Sequence, residues 1–104
     1  MFMGGAIPML SIGSFIQHEL QRSGRQADAF RVEADEAPTA GEGTVRVRLA
    51  SGGALELRFW KAPDERIILS ASTSSGSHSV RAVARTELVD SLAGIVQRWL
   101  RDLA

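Results

Sequence analysis

The 104-residue chain contains no cysteine and no tyrosine, a single lysine (Lys61) and only three prolines. Without cysteine there is no disulfide framework, no thiolate zinc site and no cysteine nucleophile, so packing alone must hold the fold. Net charge is missing as well: 12 basic and 12 acidic residues cancel, which argues against a dedicated polyanion binder. No run of about 20 apolar residues occurs, so no transmembrane helix is expected. The start, MFMGGAIPML, is apolar but lacks a basic n-region and is broken by Gly4, Gly5 and Pro8, unlike a signal peptide. Residues 1–8 are expected to be a loose tail on a single domain spanning 1–104, in a cytoplasmic protein without membrane association.

What is present is an ordinary globular composition, 44% hydrophobic and 23% charged, at a length that buries roughly 60–70% of the unfolded chain's surface around one core. Eleven of the 12 basic residues are arginine. A GC-rich genome produces that skew as readily as phosphate recognition does.

Periodicity divides the chain. Ile12, Phe15, Ile16 and Leu20 recur at helical spacing, with Ser14 and Gln17 placed as a capping box and Gly24 as the closing residue; a first helix is expected over 11–23. In DAFRVEAD, Phe30, Val32 and Ala34 alternate with charged residues, as in a strand. Residues 36–43, EAPTAGEG, read as a loop. TVRVRLASGGALELRFWK, residues 44–61, alternates on both sides of a glycine-bearing turn. Residues paired across an antiparallel ladder share a face, and a three-residue loop at 51–53 satisfies this by placing Leu49 on Leu55, Val47 on Leu57 and Val45 on Phe59. The other face then carries Arg48 beside Glu56, Arg46 beside Arg58, and Thr44 beside Trp60. A five-residue loop at 61–65 extends the apolar face, with Phe59 on Ile67, Leu57 on Leu69 and Leu55 on Ala71, and sets Trp60 opposite Arg66. TSSGSHS, residues 73–79, reads as a polar loop, and residues 78–84 as a short strand with Val80 and Ala82 facing inward.

The last segment is the clearest. Leu88, Leu92, Ile95, Val96, Trp99, Leu100 and Leu103 keep one stripe of a helix and Asp90, Ser91, Gln97, Arg98 and Arg101 the other, with Thr86 as the expected N-cap. The fold class is therefore α+β: an antiparallel meander sheet of four to five strands with an N-terminal and a C-terminal helix packed on one face.

Motifs for chemistry are sparse. His18-Glu19 begins like H-E-x-x-H, but residue 22 is arginine and the second zinc ligand is missing. His78 stands among serines without a GxSxG elbow or a phosphate-binding GxxxxGK[ST] loop. Glu33, Asp35, Glu36 and Glu42 read as a solvated acidic rim. No catalytic residue, metal or cofactor is assigned, and the protein is not expected to be an enzyme.

The outer sheet face, with Arg46, Arg48, Arg58, Trp60 and Arg66, joined by Ile68, is the candidate partner-binding surface, since protein interfaces favour tryptophan and arginine. A second candidate is Gly94, in mid-helix where glycine costs about 0.8–1 kcal/mol relative to alanine. With Asp90 and Arg98 it marks a face for close approach of another helix, hence a homodimer. The element order and the closing ELVDSLAGIVQRWLRDLA resemble the small dimeric chaperones of bacterial type III secretion, which bind extended segments of secreted proteins; the resemblance implies a chaperone-like adaptor in a bacterial cytoplasm and transfers no individual residue. The expectation is a non-enzymatic protein-interaction module binding another protein or peptide. The rival is a weak single-stranded nucleic-acid binder using the same face, with bases stacking on Trp60 and phosphates on the arginines.

Overall fold

Each alternating segment becomes a strand, and each 3.6-residue stripe a helix. The computed structural model describes residues 12–37 and 42–103 and contains α1 (Ile12–Arg22), β1 (Phe30–Ala37), β2 (Glu42–Leu49), β3 (Ala54–Lys61), β4 (Ile67–Thr73), β5 (His78–Val83) and α2 (Leu88–Leu103). The strands form one antiparallel sheet in chain order, β1-β2-β3-β4-β5. α1 packs over β1, α2 over β4, and the helices touch each other. This is the expected α+β meander with both helices on one face. The expected tail at 1–8 lies outside the described residues. No helix among the described residues is long and apolar enough to cross a membrane.

The division of the sheet into two faces follows the alternation, but the register does not. The first loop is 50–52 rather than 51–53. Gly52 adopts the left-handed φ of +112°, its N–H donates to Leu49 O at 2.9 Å, and Leu49 N–H donates to Gly53 O at 2.8 Å. This is a three-residue hairpin with glycine in the αL position. Val47 therefore pairs with Leu55, Val45 with Leu57 and Gly43 with Phe59. Two adjacent glycines made either loop admissible. At position 53 a Cβ would stand 3.0 and 3.1 Å from the methyls of Leu103, so this glycine lets the end of α2 pack closely on the hairpin.

The second loop is also three residues, 63–65, rather than five. Glu65 takes the left-handed position at φ 72° while Ala62 N–H donates to Arg66 O at 2.8 Å. Phe59 thus meets Leu69 and Leu57 meets Ala71, and Trp60 meets Ile68 instead of Arg66. A non-glycine residue at positive φ is what hid this turn from a reading based on glycine.

The third hairpin repeats the design over 74–76, with Gly76 at φ +98°, Gly76 N–H on Thr73 O at 3.0 Å and Thr73 N–H on Ser77 O at 2.9 Å. Its register sets Ile67 against Val83, Leu69 against Arg81 and Ser70 against Val80. Val80 and Ala82, expected to face inward, are on the outer face. The buried residue of β5 is Val83. The alternation in β5 was real, but its apolar side points away from the helices.

Between sheet and helices lies one core, built from Ile16 and Leu20 of α1, Val45, Leu57 and Leu69 of the sheet, and Leu92, Val96 and Trp99 of α2. α2 begins at Leu88 after a 3-10 turn over Arg85–Glu87 that starts from Ala84. The expected N-cap Thr86 lies inside that turn.

α1 starts ahead of the expected Ser14 cap. The amides of Ile12 and Gly13 donate to Glu36 Oε1 and Oε2 at 2.8 and 3.0 Å, so a carboxylate from β1 neutralises the positive end of the helix. No local motif could report a partner 24 positions away. At the other end, Gly24 N–H bonds Gln21 O at 3.0 Å and Arg25 N–H bonds Leu20 O at 3.2 Å, the Schellman closure that Gly24 announces. Replacing Glu36 with alanine is expected to cost about 1–2 kcal/mol, in the range of a lost N-cap; urea denaturation of both proteins measures it, and an unchanged midpoint would refute the capping role.

Glu19, read in sequence as part of an incomplete zinc signature, joins the helices instead. It is buried, accepts a hydrogen bond from Gln97 Nε2 at 3.1 Å and faces Arg22 at 3.5 Å. Gln97 also donates to Ser23 Oγ at 2.9 Å. Charge buried between helices requires partners of this kind.

Candidate contact face on the outer sheet

The side of the sheet away from the helices presents the even-numbered residues of β2 to β5. Two adjacent rows cross its β3–β5 half. One runs Trp60–Ile68–Ala82, the other Arg58–Ser70–Val80. Trp60 is 41% exposed and Val80 58% exposed, so both meet water, with the half-buried Ile68 beside them. Single exposed apolar residues are normal, whereas a contiguous group calls for an explanation.

The five residues expected to act as one surface separate into distinct environments. Arg58 and Trp60 are together, and among the described residues Arg58 makes no ion pair. Arg46 is opposite Glu56, not Arg58, and its Nε donates to Glu56 Oε2 at 2.8 Å. Arg48 lies in a different row, between Arg31 and Ala54, rather than beside Glu56. Arg66 is in the second hairpin, where Nε is 3.5 Å from Asp64 Oδ2; the cation-π contact with Trp60 anticipated from the longer loop is replaced by the Trp60–Ile68 pair.

Carboxylates border the exposed group. An open depression of about 410 Å³ is lined by Asp35, Glu42, Thr44, Arg58 and Trp60 where β1 to β3 meet. Further along the same face, Glu33 is opposite Arg46 and Glu56 is on its other side. Positive and negative groups thus interleave across β1 to β3, and no uniformly positive groove forms.

Ser70 Oγ and His78 Nε2 are 3.1 Å apart on this face. The pair joins β4 to β5 in the open, next to Val80, and offers a hydroxyl and an imidazole to any bound molecule. Among the described residues no group of three or more His, Cys, Asp or Glu is placed to hold a metal ion. Sequence reasoning did not bring Val80, Ala82, Ser70 and His78 to this face: it turned Val80 and Ala82 inward and left His78 in a polar stretch of serines. The signal for them was present: a three-residue loop ending at Gly76, like the one ending at Gly52, fixes the face of every residue in β5.

The second sequence-derived group, Asp90, Gly94 and Arg98, lies on the exposed side of α2 and borders a groove of about 280 Å³ between that helix and β5. Trp99 also lines the groove. Its buried Nε1 is without a hydrogen-bond partner among the described residues. No family model, no curated protein and no solved structure matches the chain.

Proposed function

We propose that the protein is a non-enzymatic interaction module, adaptor-like or chaperone-like, that binds another protein or peptide through the outer face of β3 to β5. The observation that carries this reading is the inverted strand β5. Its apolar residues Val80 and Ala82 turn away from the core and join Trp60 and Ile68, leaving at the edge of an apolar group a tryptophan and an arginine that makes no ion pair among the described residues. Tryptophan and arginine are the residues that most often dominate the energy of protein interfaces. Interleaved carboxylates and zero net charge favour a polypeptide over a polyphosphate backbone.

The test is capture from native lysate by the wild type and by the Trp60→Ala/Arg58→Ala double variant, with circular dichroism showing both folded. A specific protein retained by the wild type is expected to be weakened about thirtyfold or more in the variant, the scale of losing an interface hot spot. Its retention should change little between about 50 and 200 mM salt, where a nucleic-acid complex making many phosphate contacts weakens by roughly a thousandfold or more. Identical captured proteins with both baits, or capture of nucleic acid with a steep salt response, would overturn the reading.

A further inference from the structure

We infer that a second copy of this chain pairs with the free edge of β5, in antiparallel register about Val80, and closes the groove beside α2. The pairing shares Val80 with the outer-face reading but rests on the backbone edge of β5 and on Asp90 and Arg98 of α2, not on Trp60 or Arg58.

Among the described residues, strand β5 is an edge. Thr73 N–H bonds Ser77 O, and hydrogen-bonded pairs alternate along an antiparallel ladder, so Ser79, Arg81 and Val83 bond to β4. The N–H and C=O groups of His78, Val80 and Ala82 therefore point to the open edge. Such an edge is a template for another strand, and proteins usually protect it with proline, bulges or inward charges. β5 has no proline, and its outer face carries Val80, at 58% the most exposed large apolar residue among those described.

Self-pairing restricts the register. Centring the two-fold axis on Arg81 would oppose two guanidinium groups. Centring it on Ser79 would leave Val80 against His78. Centring it on Val80 opposes the two valines, sets Ser79 against Arg81 and His78 against Ala82, and uses the free backbone groups of all three outward residues.

The helix layer fits the same axis. Two helices about 10 Å wide cover roughly four strands spaced about 4.8 Å apart, and the helix-facing residues Ser79 and Arg81 of β5 are indeed exposed. From Leu88 to Gly94 the helix rises about 9 Å, and from Val83 to Val80 the strand covers about 10 Å. Gly94 lines the same groove as Ser79 and Arg81, the neighbours of Val80, so an axis through Val80 runs beside that part of the helix. Asp90 and Arg98 are each four residues from Gly94, on opposite sides. The axis brings Asp90 of one copy toward Arg98 of the other, twice. The two α2 helices would be about 14 Å apart across three strand spacings, a gap that an arginine reaching an aspartate can bridge. Among the described residues neither Asp90 nor Arg98 has an ion pair within its own chain. The groove so closed is also lined by Trp99.

Sedimentation equilibrium of the full chain across micromolar to millimolar concentration tests this. The wild type should dimerise. Val80→Pro removes an outward N–H without breaking a β4 bond, and Arg98→Asp turns two attractive pairs repulsive; each should weaken the dimer about tenfold or more. The Asp90→Arg/Arg98→Asp reversal should restore it to within about threefold of the wild type. Should Val80→Pro fail to fold by circular dichroism, Arg98→Asp and its reversal decide. A monomer throughout the range, a dimer that either folded variant leaves intact, or a reversal that fails to restore association overturns the arrangement. Trp60→Ala, which should not alter association, separates this inference from the outer-face reading.

Discussion

Leu57→Ala is expected to lower the unfolding free energy by about 2–5 kcal/mol, the cost of a buried leucine truncated where the surroundings cannot collapse. Leu57 has 0% exposure, stands in the central strand between Val45 and Ala71, and lies under the helices. Domains of this size are stable by about 5–15 kcal/mol in total, so the loss is a large fraction of the whole. The next residue along the chain should behave in the opposite way. Arg58→Ala, on the outer face, is expected to change stability by no more than about 0.5 kcal/mol. Urea denaturation of the two variants compares adjacent positions on opposite faces of one strand. Equal effects would mean that the faces are not divided as described.

Gly43→Ala is the second large effect, expected to cost about 1–3 kcal/mol through overpacking. A Cβ at position 43 would stand 2.7 Å from Phe59 Cζ, 2.9 Å from Asp35 O and 2.9 Å from Glu36 Cα. Two of those three neighbours are backbone atoms and cannot rotate away. Adding Phe59→Leu to Gly43→Ala removes the ring contact and should recover only part of any loss beyond its own cost. The strain falls beside Glu36, whose carboxylate caps α1, so amide hydrogen exchange in the first turn of that helix should quicken as well. A Gly43→Ala protein with wild-type stability would show that β1 and Phe59 do not close over this glycine.

The assignment of residues to faces was legible because a strand's period of two leaves no latitude: Val45, Val47, Leu57 and Phe59 could share a face in only one way. The pairing itself was not, because sliding a partner strand by two residues preserves every face. Gly52 or Gly53 could close the first hairpin equally well on sequence alone; in the structure Gly52 takes the left-handed position and Gly53 lies against Leu103. At the second hairpin the left-handed residue is Glu65, a type that gives no such signal. Those two shifts removed Arg66 from Trp60 and placed Arg46 on Glu56, so the expected five-residue surface became a smaller group around Trp60 and Arg58.

Strand β5 failed for a different reason. An apolar residue at every second position is ordinarily the core side of a strand, and the turn at Gly76 forces the opposite. Local preference and global fold conflict there, and such conflicts tend to mark functional positions. The Glu36 cap and the Glu19–Gln97 latch were invisible because both join residues far apart in the chain. In sequence, Glu36 looked like one more surface carboxylate and Glu19 like half of a metal motif.

On the proposed reading, Trp60, Arg58 and their apolar neighbours stand outside to meet a partner and contribute little to holding the fold. The unfolding free energy of the Trp60→Ala/Arg58→Ala double variant tests it most directly. A loss of no more than about 1 kcal/mol is predicted, the scale of one cross-strand aromatic pair. A loss of about 3 kcal/mol or more, as for a truncated core tryptophan, would contradict it by showing that these side chains serve the fold.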